Sequence, residues 1–102
     1  MPKFLVTYHG GGMPANPDPE MMKQVRAAFG AWLTEAGSAV VDPGAPVRTV
    51  AQVAKGAPVA QVEIGGYSIL QAASIDAAKA ILAKHPFVGR GGTLQVSELV
   101  AA

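Results

Sequence analysis

Cysteine is absent from the 102 residues. That removes a disulfide framework, a thiol nucleophile and any cysteine-ligated zinc or iron–sulfur centre. Histidine is scarce: His9 and His85 are the only two. They make neither an HxH nor an HExxH spacing, so a closed protein zinc site lacks ligands and no metal is expected. Charge is scarce as well. Only 15% of residues are charged, eight basic against seven acidic, and no basic stripe runs along the chain. Binding of nucleic acid through charge is therefore not expected. No apolar run approaches the ~20 residues of a membrane span, and no signal-peptide core follows the first residues. The expected location is the cytoplasm. No serine sits in a GxSxG elbow, so a hydrolase triad has no support.

What is present is apolar. Half of the residues are hydrophobic, far more than a disordered chain carries. The length fits one domain over residues 1–102. A chain of this size buries roughly two-thirds of the surface that its unfolded form exposes. Little charge on so small a body implies apolar surface covered by a partner, and a symmetric homodimer is the simplest partner.

The stretch GGYSILQAASIDAAKAILAKHP, residues 65–86, organises the pattern. Tyr67 to Ala72 is a short apolar run after two glycines, which suits a buried central strand. Ser74 is a good N-cap, and Asp76 suits the positive end of a helix dipole. Ile75, Ala78, Ile81 and Leu82 share a helical face. Lys84 and His85 fall in the last turn, and Pro86 cannot continue it.

Taken in order, Lys3 to His9 (KFLVTYH) is a first strand, apolar on both faces and so covered on both. A glycine loop, Gly10 to Pro17, follows. HGGGMPANPDPE matches neither the dinucleotide fingerprint nor the P-loop, because GK[ST] is missing. Asp18, Pro19 and Glu20 make a strong helix start. Met21, Met22, Val25, Ala28, Phe29, Trp32 and Leu33 form its apolar stripe to Ala36, and Gly37 ends it. Ser38 to Val41 reads as a short second strand closed by the turn Asp42-Pro43-Gly44. Val47 to Ala54 and Pro58 to Ile64 alternate around Lys55-Gly56 and read as an exposed β-hairpin arm. Thr93 to Val100 is the last strand.

The order β-α-β-(hairpin)-β-α-β describes an α+β fold. It is a ferredoxin-like βαββαβ sandwich, an antiparallel sheet with both helices on one face and a β-hairpin inserted. The uncovered sheet face pairs with that of a second copy to make a dimeric α+β barrel.

KFLVTYH, the helix ending AWLTEAG, and GGYSILQAASIDAAKAILAKHPFV followed by GTLQVSEL together resemble the YCII-related group of dimeric α+β barrel proteins, including its DGPF-type branch. The resemblance implies a homodimer with a pocket in each subunit. For some members it implies lyase-type chemistry on cyclic or aromatic metabolites through a His/Asp pair. This chain departs from that pattern. The family's catalytic histidine lies on the first helix, and Glu20 to Ala36 contains none; Arg26 stands near the matching turn. Asp42 occupies the place of the acid partner, and APVAQVEIGG replaces the DGPF motif.

His9, at a strand end beside a glycine loop, is the candidate general base. Asp42 is the candidate acid or orienting partner, although Asp before Pro-Gly is also ordinary turn chemistry. Arg26 and Arg48 can clamp a carboxylate, or simply solvate a face. Trp32 and Tyr67 can line a pocket, or simply pack. His85 reads as a helix-terminal residue meeting the last carbonyls. Two functions remain open. One is a cofactor-free lyase or isomerase acting on a small cyclic or aromatic molecule in a per-subunit pocket. The other is a non-catalytic binding or interaction module.

Overall fold

The computed structural model describes residues 1–11 and 18–101. Strand β1 (Lys3–His9) lies at the middle of the sheet, between β3 (Gly66–Gln71) and β4 (Thr93–Glu98), and β2 (Val40–Pro46) flanks β3. All neighbouring pairs are antiparallel, in the order β2-β3-β1-β4. β1 and β2 therefore run parallel with β3 between them, as the expected ferredoxin-like sandwich requires. Most of the glycine loop after β1, residues 12–17, falls outside the described residues, as does residue 102.

Strand alternation decides which side chains meet the helices. Phe4, Val6 and Tyr8 of β1 stand opposite Leu70, Ser68 and Gly66 of β3, and Val96 and Leu94 of β4 face the same way. Helix α1 (Pro19–Ala36) lays Phe29, Trp32 and Leu33 on this face, and α2 (Ile75–Leu82) adds Ala78, Ile81 and Leu82. Phe4, Val6 and Leu70 are fully buried, each worth roughly 1.5–3 kcal/mol of transfer free energy. The caps are those expected from the sequence. Asp18 Oδ1 accepts from Met21 N (2.7 Å), Ser74 Oγ accepts from Ala77 N (3.1 Å), and Gly37 ends α1 at φ +58°. Trp32 Nε1 donates to Ile81 O (3.2 Å) and ties α1 to α2. The opposite sheet face carries Leu5, Thr7, Tyr67 and Ile69, all half-buried.

Two local expectations are corrected. Asp42-Pro43-Gly44 does not end the second strand. β2 continues to Pro46, and its register with β3 shifts on both sides of Asp42. The motif is a bulge: Asp42 Oδ1 accepts from Gly44 N (2.8 Å), and Gly44 takes φ +76°. The expected arm also forms no ladder. Residues 47–65 contain no strand. Val47 N to Gly65 O (3.1 Å) closes the base, and Gln52 Nε2 donates to Val59 O (3.1 Å) across the segment. An isolated two-stranded ribbon is marginal in water, and Pro58 removes a donor from it. Val50, Val53, Val59 and Val62 have no surface to pack on and remain exposed. This projection helps explain a radius of gyration of 15.0 Å, against the ~13 Å usual at this length.

A Cβ at position 44 would lie 1.7 Å from Tyr67 O, whereas one at Gly56, also at positive φ, meets nothing within 4 Å. Gly44→Ala is expected to cost at least about 3 kcal/mol, and Gly56→Ala only about 1 kcal/mol of left-handed strain. Urea unfolding of the two variants checks this; equal midpoints would remove the close-approach argument.

Candidate functional site

The site begins where α2 ends. His85 N donates to Leu82 O (3.0 Å), and Pro86 opens the one-turn helix α3 (Pro86–Gly89) with His85 as its N-cap. Proline at the first helical position is favourable, and the residue before it is held extended. The cap bond runs from Phe87 N to His85 Nδ1 (3.0 Å). A backbone N–H can only donate, so Nδ1 is bare and the ring proton sits on Nε2.

Every later link in the chain follows from that proton. Nε2–H donates to Tyr8 Oη (2.8 Å), the Tyr8 hydroxyl donates to Ser68 Oγ (2.8 Å), and the Ser68 hydroxyl donates to Pro43 O (2.8 Å). Pro43 O belongs to the β2 bulge and can only accept. The chain therefore has one direction, set at both ends by backbone groups. Ser68 is wholly buried in the sheet and His85 is 3% exposed.

The histidine is walled by aromatic rings. Its centroid lies 4.3 Å from that of Trp32 and 5.5 Å from that of Phe29, and Tyr8 meets it edge-on at 5.2 Å. Burial, reinforced by the charge of Arg90, holds its pKa at about 4, so the imidazole is neutral at physiological pH. Burial also raises the Tyr8 phenol, against a smaller opposing effect of the Ser68 hydrogen bond, and the hydroxyl keeps its proton.

A cavity of about 260 Å³ opens on this cluster, between α1, the β2 bulge, the start of β3 and α3. Phe29, Tyr8, His85, Phe87 and Arg90 supply side chains to its wall, and Pro43 to Pro46 and Gly65-Gly66 supply its strand edge. A dry cavity of ~150 Å³ is enough for benzene, so this space accommodates one substituted ring.

The sequence-selected residues divide unevenly around it. Tyr67 borders the cavity, although alternation puts its side chain on the sheet face opposite Ser68. Trp32 stands behind His85 rather than in the cavity wall. His9 is elsewhere: Nδ1 donates to Glu63 O (3.0 Å) and Nε2 accepts from the Thr7 hydroxyl (2.8 Å), so the ring latches the 47–65 segment to β1. Asp42 serves the bulge. The strand register leaves His9 and Asp42 roughly 15 Å apart, two strands across and four residues along. Arg26 and Arg48 are exposed and do not line the cavity. His85 is the residue that sequence reasoning undervalued, because α2 stops at Leu82 and the ring turns inward instead of closing that helix. The available signal was His-Pro, a cap followed by proline at the first helical position. Among the described residues no three His, Asp or Glu side chains gather as metal ligands, and no helix is long and apolar enough to cross a membrane.

The buried imidazole makes stability pH-dependent. The unfolded chain takes up this proton near pH 6.5 and the folded chain only near pH 4, so between the two the unfolded state binds more protons. The contribution is complete above pH 6.5, falls as pH drops toward 4, and spans about 3 kcal/mol. Asparagine keeps a cap but does not titrate. His85→Asn is expected to flatten the decline of urea midpoints between pH 7 and 4.5; a slope equal to that of the wild type would refute this account.

No family model matches the chain, and no curated protein sequence matches it. Among solved structures, the chain is similar to 5-chloro-2-hydroxyhydroquinone dehydrochlorinase from Burkholderia phenoliruptrix in complex with 2,5-dihydroxybenzoquinone. The TM-score is 0.61 at 16% identity, over 100% of this chain and 96% of that one. At this identity the likeness is one of fold: an α+β sandwich shared from end to end.

Proposed function

We propose that this protein is a cofactor-free enzyme of lyase or isomerase type that acts on a small cyclic or aromatic metabolite in the cavity beside His85. The observation that carries the reading is the one-directional chain from Phe87 N through His85, Tyr8 and Ser68 to Pro43 O, set against a cavity the size of one ring. A fold neighbour that is a dehydrochlorinase of a hydroquinone, bound to a benzoquinone, supports the substrate class. The acting group is Tyr8. As a ring carbonyl gains negative charge on enolisation, the proton of the adjacent carbon passing to water in the open cavity, the phenol turns its O–H from Ser68 to that oxygen. The Nε2–H of His85 stays on the phenolic oxygen and steadies the charge it acquires. Ser68 keeps its own bond to Pro43 O. His85 acts here as a positioning residue, because both of its ring nitrogens are engaged.

The second reading, a binding protein without turnover, is favoured by one observation: among the described residues that line the cavity, none is a carboxylate able to pair with His85. In either case we propose a homodimer. Leu5, Tyr67 and Ile69 lie half-exposed on the sheet face away from the helices, and a second copy covers them at least cost.

Removing one oxyanion donor typically costs 10²–10³ in kcat. Tyr8→Phe, screened with cyclic ketones and hydroxyquinones, is expected to lose turnover by about that factor while ring-ligand affinity changes only a few-fold. Undiminished turnover in this variant would sink the assignment; ligand binding without turnover by the wild type would select the second reading. Light scattering at micromolar concentration is expected to give twice the chain mass, and a monomer would end the dimer proposal.

A further inference from the structure

The described lining of the cavity beside His85 holds one cation and no side chain that balances it. Arg90 is the only ionised side chain among the described lining residues, since His85 is held neutral. The guanidinium carbon lies over the Phe87 ring, 5.8 Å from its centroid, within cation–π range. Its Nε is shut off from water, so the terminal nitrogens are the donors that can meet a ligand in the cavity. Among the described residues the guanidinium has no carboxylate partner. Among the described residues the single ion pair joins Lys84 to Glu35, on the surface. The 12–17 segment contains no acid in its sequence. Position 99 hydrogen-bonds to Lys3 O, at the end of the sheet opposite Tyr8, so the chain leaves β4 away from the cavity.

We propose that Arg90 is the anion-binding residue of this cavity and that its occupant is a one-ring carboxylate. The inference rests on reading the cavity as a metabolite site, and it adds the charge and chemical class of the ligand. A planar guanidinium matches a carboxylate in geometry as well as in charge, and charge-assisted hydrogen bonds are roughly twice as strong as neutral ones. The ring of the ligand lies among Phe29, Phe87 and Tyr8, and its carboxylate meets Arg90. The arrangement is economical for selectivity: a neutral ring fills the same space but leaves the guanidinium uncompensated.

Benzoate and its neutral isostere benzamide test this directly. The sole tryptophan, Trp32, packs on His85 and serves as a fluorescence reporter, and the His85 ring resonances locate the ligand by NMR. Benzoate is expected to bind the wild type at least about tenfold more tightly than benzamide, with an affinity that weakens as salt rises. Arg90→Gln is expected to bring the two ligands within about twofold of each other, and Arg90→Lys to retain part of the preference. The wild-type ratio is read without any variant, so a poorly folded Arg90→Gln protein leaves the test intact. Equal affinities in the wild type, or a preference that survives in Arg90→Gln, would overturn the anion assignment while the metabolite reading stands. If neither compound moves the His85 resonances, both readings fall together.

Discussion

A single backbone donor, the N–H of Phe87, governs the chemistry of this fold. By occupying Nδ1 of His85 it settles the tautomer, and the tautomer settles the direction of each bond beyond it. The chain closes on Pro43 O, which is available because the β2 bulge turns it toward Ser68 and because Gly44 admits Tyr67 O where no side chain fits. Two irregular backbone features, a one-turn helix and a strand bulge, thus hold the ends of one polar network inside an otherwise apolar layer. Each hydroxyl in it both accepts and donates, so loss of one member strands its neighbours in a medium where unmet hydrogen bonds are costly.

The electrostatics follow from the same placement. His85 has rings on three sides and a cation near it, so it cannot hold a proton at neutral pH. The phenol of Tyr8 is likewise kept in its protonated form. The cavity therefore presents a neutral, ordered donor chain with a positive charge near it. On the function proposed above, that combination suits a ring bearing oxygens. The proportions are those of a small-molecule site, with mostly apolar walls and few polar groups in defined positions.

Elsewhere the chain leaves apolar surface unfinished. The 47–65 segment is tied at its base, through Val47 and Gly65 and through the His9 latch, yet its valines are exposed. The half-exposed residues of the second sheet face are similar in character. Low charge content in a flattened body, 44 × 39 × 19 Å, means that isolated burial within one chain does not use all of its hydrophobic residues.

Local rules made much of this molecule legible in the sequence. Asp18, Pro19, Gly37 and Ser74 act on their own neighbours, so the helix ends stand where those residues predict. Period-two alternation in KFLVTYH and the run after Gly65-Gly66 gave the central strands, and the element order gave the topology. The site was far less legible. His85 and Tyr8 are 77 positions apart, and nothing in the spacing of either says that they share a hydrogen bond. DPG reads as a turn by its residues; it is a bulge because β3 lies alongside and captures the residues that follow. The alternating arms around Lys55-Gly56 read as strands, and no strand among the described residues pairs with them. Caps and periodicity are short-range properties, written in consecutive residues. The direction of a proton chain, the pKa of a buried ring and the fate of an extended segment depend on neighbours that only the folded chain supplies.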